Sequence, residues 1–83
     1  MRIKYTKSAT ADLISLPRNI QERIARKMRF YAEVENPIRF TERLTDFKDA
    51  EFRFRIGEYR ILFDLIDNEI FILKIWHRKD IYK

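Results

Sequence analysis

Residues Phe52 to Phe63 alternate apolar and charged or polar side chains on both sides of a Gly57-Glu58 pair. A period of two marks a half-buried β-strand, and a two-residue interruption carrying glycine marks a tight hairpin turn. Gly57 is the only glycine in the chain, and it supplies positive φ at little steric cost. A turn there predicts the pairs Ile56–Tyr59, Arg55–Arg60, Phe54–Ile61, Arg53–Leu62 and Phe52–Phe63. Phe52, Phe54, Ile56, Tyr59, Ile61 and Phe63 then share one face, and Arg53, Arg55 and Arg60 share the other.

Three guanidinium groups on one small area of sheet repel one another. Like charges directly opposite across strands are destabilising, and two of them ~5 Å apart cost about 1–3 kcal/mol. An anionic ligand reverses the sign, because planar guanidiniums match phosphate oxygens in fork geometry. A solvated face with arginines paired to Glu51, Glu58 or Asp64 is the alternative.

Around this hairpin the chain reads as a single domain over residues 1–83, with 46% hydrophobic residues and 14% aromatics to build a core. The formal charge of +5 and a pI near 9.7 favour a polyanionic partner. With no cysteine and one histidine, disulfides and thiolate sites are excluded and no metal or other cofactor is expected. Early charges at Arg2 and Lys4 and the shortness of every apolar run argue against a leader or a membrane span, so a cytoplasmic location is expected.

Met1 to Thr6 alternates as a short strand. Ser8 is the predicted N-cap of a helix over about Ala9 to Ser15, and Pro17 separates it from a second helix over Arg18 to about Glu35. In the second helix Ile20, Ile24, Met28 and Tyr31 follow helical spacing. Its other face carries a basic stripe with a Glu22–Arg26 pair, read as solvated surface. Asn36-Pro37 stops that helix. Beyond it Leu44 and Phe47 are expected inward, with a short strand over Glu42 to Thr45. Asp67-Asn68 marks the next turn and Ile70 to Trp76 the last strand.

A two-residue turn at Asp67-Asn68 would pair Ile66 with Glu69 and Arg60 with Ile75. An odd loop or a bulge, pairing Ile66 with Ile70 and Arg60 with Trp76, puts Phe71, Leu73 and Ile75 on the apolar face and is favoured for that reason. It also brings Trp76 and Arg78 to the side of Arg53, Arg55 and Arg60, and leaves Leu62, Ile66, Ile70 and Ile72 as an apolar patch suited to a partner. The chain closes on Trp76-His77-Arg78-Lys79-Asp80-Ile81-Tyr82-Lys83, where cations beside aromatic rings suit an unstacked base: Trp76, His77 and Lys79 are candidate RNA contacts. By parity His77 faces the helices, where a structural role is the simpler reading.

The element order, the Arg-Ile-Gly-Glu-Tyr-Arg turn and the terminal His-Arg-x-x-x-Tyr resemble the RelE/ParE superfamily of toxin–antitoxin toxins over almost the whole chain. The resemblance implies an α+β fold: an N-terminal strand, a helical hairpin, then a twisted antiparallel sheet of three to four strands. For the RelE branch it implies a ribosome-dependent endoribonuclease that cleaves mRNA by attack of the ribose 2′-hydroxyl. Matched by motif, its site falls on Arg53, Arg55, Arg60, Arg78 and Tyr82, with an antitoxin, the ribosome and mRNA as partners. The best-known member has lysines where Arg53 and Arg55 stand, and an arginine does not lose its proton, so the general base is left open among Tyr82, His77 and Lys79. A gyrase inhibitor of the ParE kind, without enzymatic activity, is the alternative, and an inactive homologue is a third reading.

Overall fold

The computed structural model describes residues 1–44 and 50–80. Strand β1 (Arg2–Tyr5) leads into helix α1 (Lys7–Ile14) and helix α2 (Arg18–Glu33). A 3-10 turn over Pro37–Phe40 precedes β2 (Thr41–Arg43), β3 (Phe52–Ile56), β4 (Tyr59–Ile66) and β5 (Glu69–His77). The sheet order is β1-β5-β4-β3-β2. Strands β2 to β5 form an antiparallel run of four, the upper end of the expected range, and β1 joins parallel at the edge of β5. Among the described residues no helix is long and apolar enough to cross a membrane.

Helix α1 starts earlier than predicted, with Thr6 rather than Ser8 as its N-cap. The Thr6 hydroxyl accepts from the Ala9 amide at 3.1 Å and also donates to the Leu73 carbonyl at 3.4 Å. Threonine serves here because its hydroxyl reaches the amide three residues on. The carbonyls left open at the end of α1 are met by Gln21, whose Nε2 donates to Ile14 and Leu16 at 3.2 and 2.9 Å. Helix α2 buries Ile24, Met28 and Tyr31 of the stripe expected from spacing, with Ile20 partly buried against the same core. It ends two residues before the predicted Glu35, and its exposed ion pair is Arg18–Glu22, at 3.7 Å.

The core lies between the helices and one sheet face. Phe54 is fully buried between Tyr31, stacked at 4.0 Å between centroids, and Phe63 at 4.6 Å. Ile61, Ile70, Ile72 and Ile75 complete the layer with Ala9, Ile24 and Met28. The predicted β3–β4 register is present pair for pair, from Ile56–Tyr59 to Phe52–Phe63, around a Gly57 with φ of +58°.

The second hairpin differs from the expectation of an odd loop. Asp67 and Asn68 both take positive φ, 50° and 64°, as a two-residue turn of the I′ kind requires and short polar side chains tolerate. Ile66 therefore pairs with Glu69. The odd residue sits inside β5 instead: Leu62 pairs with Lys74 and Phe63 with Ile72, so Leu73 is the extra residue of a β-bulge. Arg60 still pairs with Trp76, as expected. Because the parity flips at Leu73 rather than at the turn, Ile70 and Ile72 join the core while Phe71 and Leu73 stay half-buried.

That shift takes Ile70 and Ile72 out of the anticipated apolar patch, and Leu62, which stays on the arginine face across from Arg53 and Lys74, is buried there. Leu62, Ile70 and Ile72 are fully buried, and Ile66 alone of the four is exposed, at 49%. The short strand expected over Glu42 to Thr45 is Thr41–Arg43. Leu44 is half-buried and donates its amide to the Glu51 carbonyl at 2.8 Å. Thr45 and the inward position assigned to Phe47 lie outside the described residues.

Candidate functional site: a guanidinium cluster on the open face of the sheet

Alternation in three neighbouring strands carries the cluster to the face opposite the helices. Arg55 lies across from Arg60, and Arg60 across from Trp76. Arg53 lies across from Leu62, which pairs on its other side with Lys74. The Lys74 ammonium sits over the Trp76 ring at 5.2 Å from its centroid, a cation–π contact that covers part of the indole. Arg60 folds toward the hairpin tip, its Nη1 donating to the Gly57 carbonyl at 2.9 Å and to Tyr59 at 3.1 Å.

The counter-charge at the centre is Glu42, which the sequence reading did not single out. Pairing of β2 with β3 sets Glu42 directly across from Arg53. Its Oε2 accepts from Arg53 Nε at 2.9 Å and Nη2 at 2.6 Å, and its Oε1 lies 2.8 Å from Arg55 Nη2. One carboxylate thus holds two guanidiniums. The hydrogen bond from Arg53 keeps the Glu42 carboxyl below the ordinary carboxylate range, with the charges of Arg53, Arg55 and Arg60 acting in the same direction against partial desolvation. Arg53 is nearly covered, its side chain 11% exposed, whereas Arg55 is 57% exposed. The sequence places a short strand here, but three residues do not fix its partner or register, so Glu42 is legible as the counter-ion of the arginines only from its pairing with β3.

The other anticipated residues divide between the two faces. Arg78 reaches the tip of the first hairpin, its Nε 2.7 Å from Glu58 Oε2 and its amide bonded to the Glu58 carbonyl at 2.7 Å. Glu58 is one of the three counter-ions considered from sequence, while Asp64 accepts the Glu51 amide at 2.9 Å. His77 stands edge-on to Tyr59 on the helix side, at 5.3 Å between centroids. Its Nδ1 accepts from the Lys79 amide at 3.1 Å, which leaves Nε2 as the protonated nitrogen of the neutral ring. His77 therefore caps the end of β5, on the face away from the arginines. Lys79 is exposed beyond it. Tyr82 lies outside the described residues.

The cluster can hold an anion, since Arg55 and Arg60 present planar donors beside the half-buried Trp76 ring.

A family model described as the ParE toxin of the type II toxin–antitoxin system parDE matches residues 3–82. No curated protein sequence matches the chain. Among solved structures, the RelBE2 toxin–antitoxin complex of Mycobacterium tuberculosis contains a chain 28% identical, with a TM-score of 0.77 over 93% of this chain and 96% of that one. The archaeal RelE–RelB complex of Pyrococcus horikoshii contains a chain 30% identical, with a TM-score of 0.70 over 95% and 96%. A chain of the Escherichia coli RelBE complex shares the fold at 15% identity and a TM-score of 0.70, over 92% of this chain and 94% of that one.

Proposed function

The chain belongs to the ParE toxin family of type II toxin–antitoxin systems, and from that premise we propose that its cationic sheet face is the active surface of a ribosome-dependent mRNA endoribonuclease. The single observation that carries this reading is the convergence of Arg53, Arg55 and Arg60 with Trp76 on the sheet face the helices leave open. A surface that acted only through protein contacts has no need of like charges held face to face.

The chemistry follows from what such a face supplies. The ribose 2′-oxygen attacks the adjacent phosphorus as its proton passes to a base, and the P–O5′ bond breaks as the departing 5′-oxygen takes up a proton from solvent. The products are a 2′,3′-cyclic phosphate and a 5′-hydroxyl. The nucleophile comes from the substrate, so the protein's task is alignment and stabilisation of charge on the phosphorane oxygens. Arg55 and Arg60 neutralise that charge, with Arg53 behind them. Arg78 stabilises the leaving group, and Trp76 stacks against a base. Tyr82, at the position the family motif assigns, orients the nucleotide. The Arg78–Glu58 pair is exposed on both sides, and exposed pairs are weak, so a phosphate competes readily for Arg78. The chains it resembles in solved structures are bound to RelB antitoxins, and a cognate antitoxin is the proposed partner here, with the ribosome presenting the mRNA.

Arg60→Ala and Arg78→Ala are each expected to abolish growth arrest while the purified variants keep the parent's circular dichroism and melting temperature. Full toxicity in both variants overturns the assignment. The match to the ParE family favours a second reading, inhibition of DNA gyrase. Mapping transcript ends after induction separates the two: codon-positioned cuts with normal supercoiling support the nuclease, and intact transcripts with blocked supercoiling support the gyrase inhibitor.

A further inference from the structure

The carboxylate of Glu42 makes the contacts a phosphate would make. It bridges two guanidiniums, Oε2 taking Nε and Nη2 of Arg53 and Oε1 meeting Nη2 of Arg55, at 2.6 to 2.9 Å, charge-assisted contacts that arginine offers to either anion. It does so at Arg53, whose side chain is 11% exposed. A phosphodiester reaching for the Arg53 Nε–Nη2 edge must take the donors that Glu42 Oε2 now holds. Two anions cannot share that edge. The carboxylate has somewhere to go: β2 is an edge strand of three residues, and the Glu42 side chain is 41% exposed. Rotation about its side-chain bonds carries it into solvent without breaking the β2–β3 ladder.

We infer that Glu42 is a built-in competitor of the substrate phosphate, closing the Arg53–Arg55 pair until a polyanion displaces it. The inference rests on the nucleic-acid reading above and adds a regulatory element to that site. In the closed state the carboxylate lies between the two cations and offsets their repulsion, and the donors of Arg53 and Arg55 that it holds are closed to weak, non-specific anions. A substrate aligned by several contacts at once opens the clamp. Glu42 therefore sets the threshold for binding at the Arg53–Arg55 pair.

The test measures binding of a fluorescein-labelled 2′-O-methyl RNA 12-mer, which lacks the nucleophile, by fluorescence anisotropy across a salt series. Glu42→Gln is expected to bind on the order of tenfold more tightly than the parent, as one added charge-assisted contact predicts. Its dependence of log K on log salt steepens by about 0.7 for each phosphate contact released to the RNA. Removal of a negative charge by itself raises affinity somewhat. Glu69→Gln, which loses the same charge from the same face where it meets Arg2 and Lys4 at 3.7 and 3.4 Å, measures that background and is expected to gain much less. Arg53→Gln placed in the Glu42→Gln background is expected to return both affinity and salt slope toward the parent.

Equal gains from Glu42→Gln and Glu69→Gln, or an unchanged salt slope, overturn the inference. So does weaker RNA binding by a folded Glu42→Gln protein, which would make the carboxylate part of the substrate site. Each of these results leaves transcript cleavage by the parent untouched, so the clamp can fail while the nuclease reading stands.

Discussion

Replacing Asp12 with alanine tests what holds β5 in register. Strand β1 pairs with β5 only as far as Ile72, so beyond the bulge no strand among the described residues lies beside the outer edge of β5. Helix α1 fills that place with a side chain: Asp12 Oδ2 accepts the Ile75 amide at 3.0 Å, while Thr6 donates to the Leu73 carbonyl. Ile75 is 3% exposed, so water does not readily replace the carboxylate. A hydrogen bond to a charged acceptor contributes about 1.5–3 kcal/mol, and a buried donor left unmet costs about 1–3 kcal/mol. Asp12→Ala is therefore expected to lose about 2 kcal/mol. For a domain of 83 residues that is a large part of a total of about 4–12 kcal/mol, and it lowers the melting temperature by about 8–16 °C. Asp12→Asn keeps a neutral acceptor and is expected to lose about 0.5–1 kcal/mol. Urea and thermal unfolding followed by circular dichroism measure both, and an unchanged denaturant slope identifies a loss of stability rather than of structure. An alanine variant within about 0.5 kcal/mol of the parent would refute the reasoning. An asparagine variant as damaged as alanine would show that the charge, and not the acceptor, is what β5 needs.

Two further outcomes follow from the same geometry. Phe54→Ala removes a fully buried ring stacked between Tyr31 and Phe63 and is expected to cost about 3–5 kcal/mol, enough to leave little cooperative transition by calorimetry; a melting temperature near the parent's would contradict the core described here. Glu42 has a carboxyl pKa below its ordinary value of 4.5, first through the hydrogen bond from Arg53, so its stabilisation is full above that value and is lost as pH falls through the lower folded value. Urea midpoints measured between about pH 2.5 and 6 should show a weaker acid dependence in Glu42→Gln than in the parent.

The parts of the fold legible in sequence are those set by short-range geometry. Only one turn suits Gly57-Glu58, and once it closes, the period of two decides the partner of every residue from Phe52 to Phe63. Helix α2 declared its buried stripe because Ile24, Met28 and Tyr31 recur at helical spacing and all three meet one sheet. The arginine face was legible for the same reason, as the back of a strand whose front is phenylalanine and isoleucine.

What sequence left open depends on groups far apart in the chain. Asp67 and Asn68 admit either a tight turn or a longer loop, and apolar residues on both faces of β5 support more than one register. Contacts from α1 at Thr6 and Asp12, the latter 63 residues from Ile75, accompany the bulge at Leu73, and its position sends Ile70 and Ile72 inward. Glu42 likewise meets Arg53 across 11 residues of sequence, through a strand too short to fix its own partner and register. Local periodicity determined which side chains share a strand face. Tertiary packing decided where that periodicity breaks and which carboxylate answers the arginines, because a bulge and an ion pair take their energy from partners that only the folded chain brings together.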